Sequence, residues 1–154
     1  MNFVKINDIS IHYNYTNKGT NKPTVVFSNS LGTDFRIWES CIENLSKDCN
    51  ILTYDKRGHG LSGLGNSPYV INDHVTDLID LMDHLKISKA LLVGLSVGGL
   101  VVQGVYHKRP DLVQGLILCD TAAKIGNKQM WNDRIAIARD GGLEALLEPL
   151  GNQS

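Results

Sequence analysis

The sequence predicts an α/β fold, in which an open, mostly parallel sheet carries helices on both faces and begins with an antiparallel hairpin. The opening segment alternates apolar and polar residues, as hairpin strands do. Apolar runs of strand length then alternate with segments of helical periodicity, and neither repeats nor low-complexity stretches interrupt that order. Sheets of this kind place their sites at the carboxyl ends of their strands, so residues that follow each predicted strand are the candidates for function.

The first elements are a hairpin, a buried strand and a helix. "FVKINDISIHYNYT" alternates around Asn7-Asp8, which predicts two antiparallel strands with His12 on the second. "PTVVFS" (23–28) is a continuous apolar run, typical of a strand covered on both faces. "FRIWESCIENL" (35–45) is predicted to be helical. Its apolar stripe consists of Ile37, Trp38, Cys41, Ile42 and Leu45.

The later elements continue the alternation. After the short strand "NILTY" and a glycine-rich segment, a helix is predicted with Asn72 as its N-cap. Its apolar face consists of Val75, Leu78, Ile79, Met82 and Leu85. "ALLVG" and "LVQGLILCD" are strands, and between them "VGGLVVQGVYHKR" is a helix that Pro110 ends. From Asn127 onward the pattern is helical, with a break at Gly141-Gly142 before "LEALLEPL".

Composition excludes several classes of function. The 154 residues are 42% hydrophobic and 20% charged, with a net charge of -1 and scattered basic residues, which argues against a nucleic-acid partner or a polybasic membrane surface. The longest apolar run is too short to span a bilayer, and the N-terminus lacks a secretion-signal pattern. The three cysteines have no metal-like spacing, which favours buried or idle thiols in a reducing cytoplasm and predicts no metal site.

The segment Gly94-Leu95-Ser96-Val97-Gly98 fits the pattern G-x-S-x-G, with an apolar strand before it and a helix after it. A serine on such a sharp turn is expected to take a positive φ, which is strained for a residue other than glycine. Its hydroxyl then projects above the N-terminus of the following helix, where free N–H groups favour a developing oxyanion. The alternative is a small residue in a buried segment.

Two further segments follow strands. Gly58 to Gly63 matches G-x-G-x-x-G, but the chain continues through "LGNSP" instead of opening a helix, so a dinucleotide site is poorly supported. A structured loop, with Asp55 paired to Arg57 and a structural His59, is the favoured interpretation. Ser28-Asn29-Ser30-Leu31-Gly32 is either an ordinary turn or a loop that presents backbone N–H groups to a ligand.

In this order, the motifs resemble those of the α/β-hydrolase superfamily and, more closely, of the 3-oxoadipate enol-lactonases. "SNSLGTDFRIW" resembles that family's oxyanion loop, "YDKRGHGLS" its D-x-R-G-H-G-x-S loop and "GLSVGGLVVQG" its nucleophile elbow. "LCDTAAKIG" and "MWNDRIAIARDGGLEAL" resemble the segment that leads into its helical cap. The resemblance implies an α/β-hydrolase core in residues 1–126, incomplete at its C-terminus, and the start of the cap in residues 127–154.

The family's reaction is hydrolysis of 3-oxoadipate enol-lactone to 3-oxoadipate in aromatic catabolism, and it needs no cofactor. Carried over by position, the resemblance implies that Ser96 is the nucleophile and that the N–H groups of Leu31 and Val97 are the oxyanion donors. Trp131 and Arg134 fall in the cap, where Arg134 would attract the lactone's free carboxylate. The alternative for these two is a buried aromatic and a solvated cation on an amphipathic helix.

The resemblance also implies a triad of serine, acid and histidine, with the last two on later strands and loops than any here. None of the five histidines occupies the required place, and Asp120 is expected to be a loop or cap-anchoring carboxylate. We therefore predict that the triad acid and histidine are not in this chain and that the sequence is a shortened form of doubtful activity. The alternatives are another α/β-hydrolase, either an esterase or a cofactor-free haloperoxidase, and a non-catalytic fragment that associates through an open sheet edge.

Overall fold

The fold is described by a computed structural model, which covers residues 2–146. It consists of two compact units, Met1–Ala123 and Lys124–Ser154. The predicted division after residue 126 remains a prediction, because a compact unit is not by itself a functional domain.

The first unit contains a six-stranded sheet with strand order β1-β2-β4-β3-β5-β6. Its strands are β1 (Asn2–Ile6), β2 (Ile9–Thr16), β3 (Thr24–Ser28), β4 (Asn50–Tyr54), β5 (Ala90–Leu95) and β6 (Val113–Cys119). β1 pairs antiparallel with β2 and β2 with β4, whereas the remaining pairs are parallel. The predicted fold class, a mostly parallel sheet with an N-terminal antiparallel hairpin, is confirmed.

Three α-helices cover this sheet: α1 (Glu39–Leu45), α2 (Ile71–His84) and α3 (Val97–Lys108). The larger apolar core lies under α2 and α3, where Leu78, Met82 and Val101 are fully buried. A smaller cluster on the other face contains Phe27 and Trp38, whose ring centroids are 4.9 Å apart. The carboxyl ends of β3, β4 and β5 therefore meet at one edge of a sheet that is fixed from both faces.

Two local predictions are wrong. The stripe predicted along 35–45 is only partly buried, and residues 35–38 form a 3₁₀ helix before α1. Trp38 is buried and Ile42 packs half-buried against the same cluster, whereas the other three positions of the stripe are exposed. The N-cap of α2 is Val70 rather than Asn72. Asp73 supplies the cap from inside the helix, since its carboxylate accepts the Val70 N–H at 2.8 Å.

The second unit contains α4 (Lys128–Gly141) and a short 3₁₀ helix (Glu144–Leu146). Asn127 caps α4 by accepting the Met130 N–H at 2.9 Å. The helix ends at Gly142, whose φ of 73° is the left-handed conformation that glycine tolerates. The rest of the predicted helical segment "LEALLEPL", residues 147–150, lies outside the described residues.

Within residues 2–146, every helix falls short of the length and apolar character that crossing a bilayer requires. Cys41, Cys49 and Cys119 are free thiols. Neither finding identifies a binding partner.

Candidate active site

Ser96 stands between the end of β5 and the first residue of α3, with φ 54° and ψ -118°. The predicted positive φ is therefore present. This conformation is costly for a side chain with a Cβ atom, and such strain persists only where the surroundings hold it in place. The turn places the serine at the carboxyl end of a central parallel strand.

Glycines on both sides allow this turn. A Cβ on Gly94 would lie 2.5 Å from the carbonyl oxygen of Gly98 and 2.6 Å from the Cα of Gly99. A Cβ on Gly98 would overlap the carbonyl oxygen of Ser28, at the end of β3. These positions require glycine because strand, turn and helix backbones approach each other directly.

Hydrogen bonds with the last residue of β6 and with the segment after it hold the turn. The Ser96 N–H donates to the Cys119 carbonyl at 3.0 Å, and the Ser96 carbonyl accepts from Thr121 Oγ1 at 2.7 Å. Asp120, between them, has a φ of 45°. The sequence did not single out Thr121, because a threonine two residues past a strand has no recognisable pattern. Here Thr121 anchors the elbow, whereas the predicted anchoring role of Asp120 remains untested.

The loop after β3 is the second part of the site. Ser28 and Asn29 are fully buried, and Ser28 Oγ lies 3.1 Å from the Tyr54 hydroxyl. The Asn29 side-chain amide donates to the Thr33 carbonyl and also lies 3.2 Å from Thr33 Oγ1. The loop is thus tied across its own turn. Leu31, at its tip, is 53% exposed.

The structure brings the two parts of the site together, because Gly98 packs against the Ser28 and Asn29 backbone. Within residues 2–146, the N–H groups of Leu31 and Val97 have no hydrogen-bond acceptor in the protein. Val97 is the first residue of α3, where such free N–H groups are a property of the helix terminus. Two backbone donors without an acceptor therefore belong to the two segments that meet at Gly98, one of which follows Ser96 directly.

Lys56, which the sequence did not single out, is buried beside this loop. Only 1% of the residue is exposed, and its ammonium donates to the carbonyl oxygens of Asn29 at 2.7 Å and Ser30 at 3.2 Å. Burial lowers the pKa of Lys56 to about 7, against the opposing charge of Asp55. In the sequence, Lys56 stands between two other charged residues at the start of a glycine-rich loop. A lysine in such a segment is ordinarily expected at the surface, so the sequence does not predict its burial.

The predicted pairing of Asp55 with Arg57 is wrong. Arg57 donates to both carboxylate oxygens of Asp77 on α2, at 2.7 and 2.8 Å, and to Asp8 at 3.1 Å. The Asp77 hydrogen bonds are the main reason that the pKa of Arg57 is raised. Arg57 therefore pairs with α2 and with the hairpin turn, and not with Asp55, which lies two residues before it.

Asp55 pairs instead with His12, whose Nδ1 lies 2.8 Å from the carboxylate in a buried site. The same carboxylate accepts the N–H groups of Phe35 and Leu61, each at 3.0 Å. A Cβ on Gly60 would overlap this carboxylate, and Gly60 has a φ of 51°. The loop glycines thus supply turns around Asp55. Since α2 begins only at Ile71, the geometry of a dinucleotide cradle is not formed.

The Ser96 hydroxyl has no histidine partner among the described residues. Within residues 2–146, Ser96 Oγ makes no side-chain hydrogen bond. His59 Nδ1 lies 3.0 Å from the Arg57 carbonyl, as expected for a structural residue. His74 and His84 lie on α2, and His107 is in the last turn of α3. Together with His12, each histidine is placed on the element that the sequence predicted.

Trp131 and Arg134 lie on α4 in the second unit. The Trp131 indole N–H donates to the Ile125 carbonyl at 2.9 Å, and the Arg134 guanidinium lies 5.5 Å from the centre of the Trp131 ring. Trp131 is half-buried and Arg134 exposed. The guanidinium and the indole ring thus form a cation–π pair within the second unit. The predicted role of both residues in substrate binding remains a prediction.

The chain is similar in sequence to known hydrolases. A family model described as alpha/beta hydrolase fold matches residues 23–139. The chain is 38% identical to 3-oxoadipate enol-lactonase 2 of Acinetobacter baylyi, in a match covering 92% of this chain and 52% of that protein. It is 31% identical to 2-(acetamidomethylene)succinate hydrolase of Mesorhizobium japonicum, covering 71% of this chain and 39% of that protein.

A solved structure shares the fold closely. The enol-lactonase from Burkholderia xenovorans LB400 superposes with a TM-score of 0.91 at 38% identity, and the match covers 97% of this chain and 58% of that one. The chain spans about half the length of the curated enol-lactonases it matches.

Proposed function

The chain belongs to the alpha/beta hydrolase fold family, and on that premise we propose that it carries the nucleophile and oxyanion hole of a serine hydrolase acting on 3-oxoadipate enol-lactone. The observation that carries the proposal is the strained Ser96 turn, with φ 54°, together with the N–H groups of Leu31 and Val97, which have no acceptor within residues 2–146. The similarity to enol-lactonases supports the choice of substrate.

In the proposed reaction, Ser96 Oγ loses its proton to a base and attacks the lactone carbonyl. The carbonyl oxygen becomes an oxyanion, which the Leu31 and Val97 N–H groups stabilise. The ring C–O bond then breaks and the base returns the proton to the enol oxygen, which stays part of the same molecule as the acyl-serine. Water hydrolyses this acyl-serine, which releases 3-oxoadipate and frees Ser96. Trp131 and Arg134 are proposed to bind the substrate.

The base is the missing part of this proposal. The histidines of residues 2–146 are engaged elsewhere or lie on other elements, and none bonds to Ser96 Oγ. A serine hydroxyl is a weak nucleophile without a base, and losing the histidine of such a triad costs on the order of a millionfold in turnover. We propose that Ser96 depends on an imidazole that these residues do not provide.

Added imidazole tests the proposal. The lactone's ultraviolet absorbance is followed with the 154-residue chain, with and without millimolar imidazole, and with Ser96→Ala as control. We expect ring opening that rises with imidazole, above the imidazole-only rate, and that is absent from Ser96→Ala. Equal rates for Ser96→Ala and the unsubstituted chain would overturn the assignment of the nucleophile. Hydrolysis of simple esters without ring opening would favour an esterase.

A second candidate is a non-catalytic chain that associates through β6. Within the described residues this strand pairs only with β5, and its Ile117 and Leu118 are 45% and 46% exposed. Exposed apolar edges promote association. Sedimentation velocity distinguishes the two: concentration-dependent association without Ser96 reactivity would favour this candidate.

A further inference from the structure

Lys56 is an unusual buried charge. Buried ammonium groups are normally paired with a carboxylate, because removing an unpaired charge from water is costly. Within residues 2–146, Lys56 forms no ion pair, although Asp55 precedes it in sequence. Its hydrogen bonds go instead to the Asn29 and Ser30 carbonyls, at 2.7 and 3.2 Å.

These contacts fix the orientation of a particular peptide group. The peptide between Ser30 and Leu31 is trans, so its C=O and N–H point in opposite directions. An ammonium on the Ser30 oxygen therefore turns the Leu31 N–H to the other side of the loop. That N–H is the one proposed as an oxyanion donor.

A second donor completes the restraint. Thr33 Oγ1 donates to the same Ser30 oxygen at 3.1 Å, so both lone pairs of this carbonyl are engaged. The side chain of Asn29 holds Thr33 in turn, through its carbonyl and its hydroxyl. With both acceptor positions occupied, the peptide cannot rotate without breaking two hydrogen bonds.

We propose that Lys56 is a positioning residue for the oxyanion hole: it holds the Ser30–Leu31 peptide so that the Leu31 N–H faces the oxyanion formed at Ser96. The inference rests on the proposed function. A cation on the carbonyl also polarises the peptide and strengthens its N–H as a donor, and a nearby positive charge favours an oxyanion in a poorly solvated site.

The electrostatic part depends on pH. Burial lowers the pKa of Lys56 to about 7, so the charge is present below this pH and is lost above it. Three titratable groups have charges that couple to Lys56: Asp55, His59 and His74. Asp55 raises the pKa of Lys56, whereas the two histidines add positive charge only when they are protonated.

Nuclear magnetic resonance on the unsubstituted chain tests the positioning without any activity. The Leu31 amide signal and the Lys56 Cε signal are followed from about pH 5 to about pH 10. We expect the two signals to titrate with one midpoint, and the Leu31 titration to vanish in Lys56→Met. A Leu31 amide that does not respond while Lys56 titrates would overturn the inference. Because this titration needs no variant, it decides the matter even if Lys56→Met fails to fold.

A second measurement tests the consequence for the site. The rate at which a fluorophosphonate probe labels Ser96 is measured in the presence of imidazole. Loss of an oxyanion donor costs roughly 10²- to 10³-fold, so misplacing one by Lys56→Met should cost about tenfold in maximal rate, with an unchanged half-saturating concentration. Lys56→Arg should recover much of the rate, and Lys47→Met, at an exposed lysine, should match the unsubstituted chain.

The two measurements fail separately. If Ser96 is not labelled in any form, the proposed function is wrong, while the Leu31 titration still reports whether Lys56 holds the loop. If Ser96 is labelled at the same rate with and without the lysine, the positioning role is wrong and the proposed function stands.

Discussion

Arg57 and Asp77 form a buried two-pronged ion pair, with Nε–Oδ2 and Nη2–Oδ1 distances of 2.7 and 2.8 Å. The pair joins the loop after β4 to α2. Asn7 and Asp8, in the turn between β1 and β2, add hydrogen bonds of 3.0 and 3.1 Å to the same pair. The hairpin, the loop and the helix therefore meet at one set of charges.

Removing the carboxylate should destabilise the fold strongly. Asp77→Ala leaves Arg57 buried without its main partner, and breaking a buried pair in this way costs about 3 to 5 kcal/mol. We expect a loss of about 3 kcal/mol in the free energy of unfolding, measured by urea titration. Asp80→Ala is the matched control on the same helix, because the Asp80 carboxylate makes no ion pair within residues 2–146. Equal losses in the two variants would contradict this role for the pair.

The closeness of α3 to β3 predicts a strict requirement for glycine at position 98. A Cβ in Gly98→Ala would overlap the Ser28 carbonyl oxygen, which is backbone and cannot swing away. Overpacking of this kind costs typically 1 to 3 kcal/mol, so we expect a loss of at least about 2 kcal/mol. In the control Gly115→Ala, the added Cβ meets only the flexible end of Leu91, at 3.1 Å. A urea titration in which Gly98→Ala matched this control would show that the contact is not restrictive.

The fold and the elbow could be predicted because their signals are local. Alternation around Asn7-Asp8 determines the hairpin, and the glycines around Ser96 reveal a tight turn between a strand and a helix. Periodicity correctly identified the apolar face of α2, since that face packs against the main core. Each of these patterns lies within one short segment of the sequence.

The polar contacts could not be predicted, because they join residues distant in sequence. Asp77 lies 20 residues beyond Arg57, on a helix whose sequence pattern indicates only its apolar face. Asp55 is only two residues from Arg57, and this closeness in sequence is why it is the predicted partner. Lys56 donates to carbonyl groups 26 and 27 residues away. Backbone acceptors have no signature in a sequence, so nothing marked Lys56 as buried.

Relief of backbone strain should make one inactive variant more stable. Ser96 has a φ of 54°, and such conformations cost of order 1 to 3 kcal/mol in residues other than glycine. Ser96→Gly should therefore raise the free energy of unfolding by about 1 kcal/mol, after allowance for the greater freedom of glycine in the unfolded chain. Ser96→Ala retains the Cβ and should show no gain. Urea titration of both variants checks this, and a destabilised Ser96→Gly would contradict stored strain at the elbow.

A half-buried histidine should weaken the fold in acid. Burial, assisted by the positive charges of Lys56 and His59, lowers the pKa of His74 from 6.5 to about 4. Between these values the unfolded chain binds a proton that the folded chain does not, so stability falls as the pH drops from 6.5 towards 4. We expect His74→Gln to flatten this pH dependence. His107→Gln, at an exposed histidine, should leave the steeper dependence in place, and equal slopes in all three proteins would exclude the linkage.

The central proposal is that Ser96 is a nucleophile that lacks only its base. The most direct measurement is mass spectrometry of the 154-residue chain after reaction with a fluorophosphonate probe, with and without added imidazole. We predict slow labelling that imidazole accelerates, with the adduct mapped to Ser96 and absent from Ser96→Ala. An adduct on other residues, or labelling of Ser96 that imidazole leaves unchanged, would contradict the account.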